Sequence, residues 1–317
     1  VNVGVDFALF RHRLSGTIEY YNKYSVDLLA AINGSPTQGF GYTTLMTNNG
    51  KMVNRGVEIT LSGEIIRQKD FSWNASLLYA FNRNKVKHIS VQPSLWDSRI
   101  SMPTSYPMVG KPLYGIYAYK WAGLNENGDP QVYDAENNVT SGPARDYHAL
   151  VYCGTTVPIH NASLTNVLRY KGFEFSAMLI LDAGHKLRSS NIPSINMSNG
   201  RITSTAKGIV DRWTQPGDVT DVPRLLFSND TENFNTHRTE LYRYSDLFVY
   251  DASNIRLSNI SLAYRVPAHW CKKISLSGAR LQFNVENVAT FAFDSKANYD
   301  LGGKVKPNYV WGLYLNF

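Results

Sequence analysis

The sequence predicts an all-β protein that crosses a membrane as an antiparallel β-barrel. Three observations support this fold class. Large apolar residues recur at every second position in several separate segments, as they do on one face of a strand. No run of 18 apolar residues is present and the mean hydropathy is -0.28, which argues against membrane-spanning helices. The connections between the alternating segments are short and long in turn.

Nine segments carry the strand pattern. The first two form a hairpin, and the third and fourth form a second hairpin in which apolar residues alternate with charged, hydroxyl and amide residues. The fourth has eleven residues, about the length that a tilted strand needs to cross the hydrocarbon. The seventh changes its apolar parity between Leu257 and Ile260, which predicts a β-bulge. The predicted strands cover residues 3–9, 14–25, 57–65, 71–81, 161–170, 173–181, 250–264, 279–285 and 309–317.

The connections predict how the strands are oriented. Short connections are expected at residues 10–13, 67–70, 171–172 and 266–273, and long ones at residues 31–49, 83–160, 183–246 and 290–307. A soluble β-sandwich has no reason to keep all its short turns at one end. Outer-membrane barrels do so, because their periplasmic turns are short and their extracellular loops are long. The chain terminus then lies on the short-turn side.

The first and last predicted strands need partners outside this sequence. An open sheet edge in hydrocarbon would leave backbone N–H and C=O groups unpaired, at a cost of several kcal/mol each. The sequence also begins inside an alternating segment and has no signal-peptide pattern. We therefore expect residues 1–317 to be the C-terminal part of a larger barrel.

Other classes of protein find little support. The formal net charge is +7, but the only tight basic groups are Arg11-His12-Arg13 and Lys272-Lys273, and the sequence has no basic helix and no nucleic-acid-binding motif. No catalytic, cofactor-binding or metal-binding motif is present, so we expect neither an enzyme nor a cofactor. The cluster at residues 125–129 resembles a fragment of a calcium loop but lacks the downstream Glu, and a plain turn is the simpler interpretation. Cys153 and Cys271 are expected at opposite ends of the barrel as free thiols.

Several short motifs occur in a consistent order along nearly the whole chain. They are Asn49-Gly50 with Asn54-Arg55-Gly56-Val57-Glu58; Phe71-Ser72-Trp73 with Asn82-Arg83-Asn84-Lys85-Val86; Gly110-Lys111-Pro112 with Gly123-Leu124 and Gly128-Asp129-Pro130; Arg212-Trp213 with Pro216-Gly217-Asp218; Asp251-Ala252-Ser253 with Ile255-Arg256-Leu257 and Leu262-Ala263-Tyr264-Arg265-Val266-Pro267; and the closing Phe317. Each is weak alone, but together they resemble the C-terminal portion of SusC/RagA-type TonB-dependent outer-membrane transporters.

The resemblance implies a 22-stranded barrel in the outer membrane of a Gram-negative bacterium. It also implies an N-terminal plug, energy supplied through TonB, a SusD-like surface lipoprotein as lid, and import of oligosaccharides or oligopeptides. This sequence departs from the family pattern because it lacks the plug and the first dozen or so strands. Those parts lie either on another chain or in a longer sequence of which this is a piece.

Two sets of residues are candidates for function. Aromatic residues in the long loops are expected to contact substrate or lid, although packing within the loops would also explain them: Trp96, Tyr106, Tyr114, Trp213 and Tyr244. Alternating residues of the last strand are expected to close the barrel and direct its assembly: Tyr309, Trp311, Leu313, Leu315 and Phe317. A surface adhesin or carbohydrate-binding β-protein, and a TonB-dependent siderophore receptor, stay open as alternatives.

Overall fold

The computed structural model describes residues 1–33, 37, 39, 44–90, 98–142, 146–197, 205–227, 236–301 and 306–317. The strands are β1 Asn2–Leu9, β2 Leu14–Asn33, β3 Thr44–Arg67, β4 Phe71–His88, β5 Gly115–Tyr119, β6 Trp121–Leu124, β7 Pro130–Tyr133, β8 Val139–Thr140, β9 Leu150–Thr155, β10 His160–Tyr170, β11 Phe173–Ala183, β12 Lys186–Arg188, β13 Asn196–Met197, β14 Leu226–Phe227, β15 Val249–Asp251, β16 Asn254–Arg265, β17 Gly278–Ala292 and β18 Asn308–Asn316. The α-helices are short: α1 Ser98–Ser101, α2 Thr236–Arg243, α3 Ala268–Lys272 and α4 Asn298–Leu301. No helix in these ranges is long and apolar enough to cross a bilayer.

Nine long strands form one antiparallel sheet in the order β1-β2-β3-β4-β10-β11-β16-β17-β18. Each of the nine strands pairs with the long strands that come immediately before and after it in the chain. This arrangement is expected for the wall of an up-and-down barrel. All nine predicted strands are present in this sheet, so the predicted fold class is confirmed. The predicted bulge is also confirmed, because the register of β16 shifts between Leu257 and Asn259.

One face of the sheet carries continuous apolar rows. At mid-height the pairing aligns Leu61, Leu77, Leu164, Leu179 and Leu257. Nearer the short turns it aligns Trp73, Leu168, Phe175, Leu262, Phe283 and Trp311. The next row is aromatic across four strands: Phe71, Tyr170, Phe173 and Tyr264. Apolar rows that end in aromatic residues are typical of the lipid-facing side of a membrane barrel.

The height of this apolar face matches a bilayer. On β4 the outward residues are apolar from Phe71 to Phe81, and the next outward residue is Arg83. These eleven residues rise about 33 Å along the strand at ~3.3 Å per residue. A tilt of roughly 40° reduces this to about 25 Å, the height of the apolar band on outer-membrane barrels. At the level of Arg83, Arg55 donates a hydrogen bond to Asn22 at 3.2 Å, so the outer face becomes polar there.

The opposite face is polar and internally hydrogen-bonded. Thr17 donates to Asp6 at 2.6 Å, and the Asp182 carboxylate accepts from Asn161 at 2.7 Å and Arg256 at 3.0 Å. Such a face suits the wet interior of a barrel.

The bounds of five predicted connections were wrong. The connection at 183–246 ends later, because residues 249–251 pair with β12 in a separate sheet and the wall strand β16 begins at Asn254. The connection at 31–49 is shorter, because β2 continues to Asn33 and β3 begins at Thr44. The connections at 83–160 and 290–307 start later, because β4 reaches His88 and β17 reaches Ala292. The connection at 266–273 is longer and contains α3. Strand pairing can continue above the membrane without apolar alternation, because neither face then meets lipid.

Candidate substrate and partner surface in the long loops

The described parts of two long connections, at residues 89–159 and 184–253, pack together beyond the long-connection end of the sheet. Their shared core contains Tyr117, Tyr119 and Leu150 from the first connection and Leu241 from the second. A second cluster joins Ile195, Tyr242 and Phe248 to Trp121. We call the described parts of these two connections the loop domain. The loop domain therefore buries its apolar residues inward, as a soluble protein does.

A partly buried ionic junction links the two connections. Asp129 of the first accepts two hydrogen bonds from Arg224 of the second, at 3.1 and 2.9 Å, and one from Arg238 at 2.7 Å. Arg238 is 3% exposed, and it also donates to Asn196 at 2.6 Å and to the Arg224 carbonyl at 2.8 Å. Forked guanidinium–carboxylate pairing fixes both distance and orientation, so this junction sets how the two connections sit on each other.

Further contacts cross the same boundary. Arg188 donates to the carbonyl of Tyr117 at 2.7 Å, and the Trp121 indole donates to Asp221 at 2.9 Å. The Trp121 backbone N–H donates to the Asp246 carboxylate at 3.0 Å. These bonds satisfy polar groups that would otherwise be costly to cover with protein.

Trp213 lies on Gly128 beside an open groove of about 660 Å³. Gly128 has φ +72°, and a Cβ there would stand 2.4 Å from the indole, so a residue with a side chain cannot replace it without displacing Trp213. The groove is also bordered by Asn125, Asn127 and Thr220. An aromatic ring next to amide and hydroxyl groups offers both a stacking surface and hydrogen bonds to a polar oligomer.

A second groove, of about 290 Å³, lies between the upper ends of β2–β4 and the first connection. It is mainly apolar, with Leu28, Met46, Met52 and Pro107 among its lining residues. The neighbouring segment Gly110-Lys111-Pro112 is held against β4 by backbone bonds with Val86.

The candidate aromatic residues lie in different environments in the structure. Tyr244 packs against the shared core between Arg188 and Arg243, whose guanidinium carbons lie 5.3 and 5.7 Å from its ring centre. Tyr106 is half-buried, and its carbonyl accepts from Arg99 at 3.4 Å. Tyr114 is 46% exposed. Trp96 lies outside the described residues.

The segment at 125–129 is a turn, as predicted. The Asn125 side chain accepts the N–H groups of Asn127 and Asp129, both at 2.9 Å, and the Asp129 carboxylate is engaged by two arginines. Among the described residues, no group of three His, Cys, Asp or Glu side chains could hold a metal ion. Sequence reasoning missed the pairing of Asp129 with Arg224 and Arg238, which joins the two connections; the Gly-Asp-Pro motif was the available signal.

Both cysteines are free thiols, as expected. Burial and, secondarily, the Asp246 carboxylate raise the pKa of Cys153 to about 11. Burial likewise raises the pKa of the Tyr242 phenol. Both groups are therefore neutral at physiological pH within the loop domain.

The closing residues lie on an edge strand. β18 pairs with β17, and Tyr309, Trp311, Leu313 and Leu315 share the outward parity. Phe317 follows the strand and is 92% exposed. The free edge of β18 has the geometry to accept another strand.

Comparison with known proteins identifies similar chains. A family model described as TonB dependent receptor-like, beta-barrel matches residues 1–288. TonB-dependent receptor P3 of Formosa agariphila is 25% identical over 335 residues, which cover 99% of this chain and 32% of that receptor. TonB-dependent receptor SusC of Bacteroides thetaiotaomicron is 24% identical over 300 residues, covering 90% of this chain and 28% of SusC. The chain thus spans about a third of the length of the curated relatives it matches.

Solved structures share the fold. The structure of the RagAB peptide transporter matches all of this chain with a TM-score of 0.76 at 22% identity, and the match covers 35% of that chain. The RagAB peptide importer in the open-open state gives a TM-score of 0.74 at 21% identity, with 100% of this chain and 34% of that one covered.

Proposed function

Because this chain belongs to the TonB dependent receptor-like β-barrel family, we propose that residues 1–317 form the C-terminal part of the wall of an active importer in a Gram-negative outer membrane. The resemblance to SusC/RagA-type transporters that the sequence motifs indicated is confirmed by the family match and the relatives. The observation that carries the proposal is the two-faced sheet. Its outer face is apolar over about 25 Å, and its inner face is polar.

The proposed cargo is a nutrient oligomer, either an oligosaccharide or an oligopeptide. The groove beside Trp213 supports this class, because it combines an aromatic face with several amide and hydroxyl groups. RagAB is described as a peptide transporter, and SusC is a relative in sequence. We propose that Trp213 contacts the cargo or the lid, while Tyr244 supports the loop domain from inside.

The proposed partners follow from the same assignment. The edges β1 and β18 would pair with the remaining strands of the barrel, since unpaired backbone groups are costly in hydrocarbon. A plug inside the barrel would connect the transporter to TonB, and a SusD-like surface lipoprotein would cover the loop domain. No enzymatic step is part of this proposal.

The proposal is tested by uptake. Cells that carry the complete receptor should accumulate labelled oligosaccharide or labelled oligopeptide, and depletion of TonB should abolish the accumulation. Uptake of an iron–siderophore complex instead would assign the cargo to the siderophore class. Binding of an oligomer at the cell surface with no TonB-dependent accumulation would refute the importer and favour an adhesin.

The groove is tested separately by Trp213→Ala. Loss of the indole should weaken binding of the cargo or lid about tenfold, which is about 1.4 kcal/mol and lies within the roughly 0.5–1.5 kcal/mol expected for an aromatic contact. Val219→Ala, at an exposed residue on the border of the same groove, is the matched control.

A further inference from the structure

The positive charge of the chain is concentrated at one end of the wall. The four short connections and adjoining strand ends, residues 10–14, 64–71, 169–174 and 265–280, are called the turn end. They contain ten Lys and Arg but three Asp and Glu, a difference of +7. The whole chain has 32 Lys and Arg against 25 Asp and Glu, also +7, so the remaining residues are formally neutral.

Part of this charge is already paired within the chain. On the inner face, Glu174 accepts from Arg169 at 2.7 Å and from Arg280 at 3.1 Å. Arg67 pairs with Glu64 at 3.4 Å. In the described residues, no ion pair involves Lys69, Lys171, Lys272 or Lys273, and all four are exposed. These four residues are called the rim lysines.

The rim lysines lie where the hydrocarbon should end. Lys171 directly follows Tyr170 of the outward aromatic row, and Lys69 lies two residues before Phe71 of the same row. The Lys171 ammonium lies 5.3 Å from the ring centre of Tyr170, which is 53% exposed, so this cation stands on the outer side of the wall. Lys272 and Lys273 adjoin Trp270, which is also exposed.

Aromatic residues with cations just beyond them fit the boundary between lipid tails and headgroups. We propose that the rim lysines bind the headgroups of anionic phospholipids at the turn end. Charge complementarity selects this partner, because an unpaired cation at a membrane boundary gains by attracting an anionic headgroup. The inference rests on the proposed function, since it requires the wall to span a membrane.

The test uses the complete receptor in nanodiscs of phosphatidylcholine with a minority of phosphatidylglycerol. Native mass spectrometry measures how strongly phosphatidylglycerol is enriched among the lipids that stay bound. The wild type should enrich phosphatidylglycerol. In the combined variant K69Q/K171Q/K272Q/K273Q this enrichment should be at least tenfold lower. The reason is that each Lys or Arg near an anionic lipid surface raises the binding affinity roughly fivefold at low salt.

The matched control is K87Q/K120Q/K207Q/K306Q, which removes the same charge from exposed lysines outside the turn end. It should keep the enrichment. Absence of enrichment in the wild type, its survival in the rim variant, or an equal loss in both variants would overturn the proposal. A receptor that fails to enter nanodiscs of any composition would instead refute the membrane-spanning wall on which the inference depends.

Discussion

The wall and the loop domain bury opposite kinds of surface. In the wall, large apolar side chains such as Trp311 and Leu313 face outward and are exposed in the isolated chain. In the loop domain, Tyr117, Tyr119 and Leu241 are almost completely buried. The same hydrophobic effect explains both, because the wall is surrounded by lipid and the loop domain by water. Apolar side chains therefore face outward in the wall and inward in the loop domain. The change from one arrangement to the other lies near the level of Arg55 and Arg83.

The strongest test of the wall removes its last strand. Deletion of residues 309–317 should abolish assembly in the outer membrane, because β17 would become an unpaired edge in hydrocarbon. Surface labelling and heat-dependent gel migration of the complete receptor measure assembly. Asn316→Ser, which changes the opposite parity and keeps the strand, should assemble normally. Normal surface assembly of the deletion would contradict the closing-strand assignment.

The next largest effect is expected in the loop domain. Asp129→Ala should destabilise it by about 3–5 kcal/mol, because the charge of Arg238 would be left buried without its carboxylate. Limited proteolysis should then cut the long loops while the barrel still migrates as a folded species. The control is Glu126→Ala, an exposed acid in the same turn. Equal resistance of both variants would show that the junction does not hold the loops together.

A charge placed on either face of one strand tests the wall directly. Leu77→Arg should cost about 2–4 kcal/mol, because it places a cation near the middle of the lipid-facing band. Ser76→Arg, on the adjacent inward residue, should have little effect. Urea unfolding in lipid vesicles measures both. Equal costs for the two variants would contradict the assignment of the faces.

The smallest expected effect concerns the thiol of Cys153. Its pKa is raised from 9.0 to about 11, so the folded state holds the proton more tightly than the unfolded state. The resulting contribution to stability is complete below pH 9 and is lost as the pH rises towards about 11. In a Cys271→Ser background, alkylation of folded protein should follow the higher pKa, whereas unfolded protein should show an ordinary thiol titration. Identical profiles would contradict burial of Cys153 in the loop domain.

Sequence reasoning worked best where the fold is local. Alternation at period two located all nine wall strands and the bulge after Leu257, because lipid favours apolar residues on the outward parity. The same alternation predicted strands that are too short on the long-connection side. In the structure β2, β3, β4 and β17 extend further from the membrane there. Above the apolar band, strands continue through backbone pairing alone, and that pairing leaves little trace in side-chain pattern.

The sequence by itself therefore determined the wall, its two faces, its alternating connections and its family resemblance. Only the tertiary structure decided how the long connections combine. Asp129 meets Arg224 and Arg238, which are 95 and 109 residues away, and Trp213 lies on Gly128. Such contacts depend on three-dimensional packing rather than on a periodic pattern along the chain, so the local sequence does not predict them. The same packing placed Tyr244 against the shared core and left Trp213 beside an open groove.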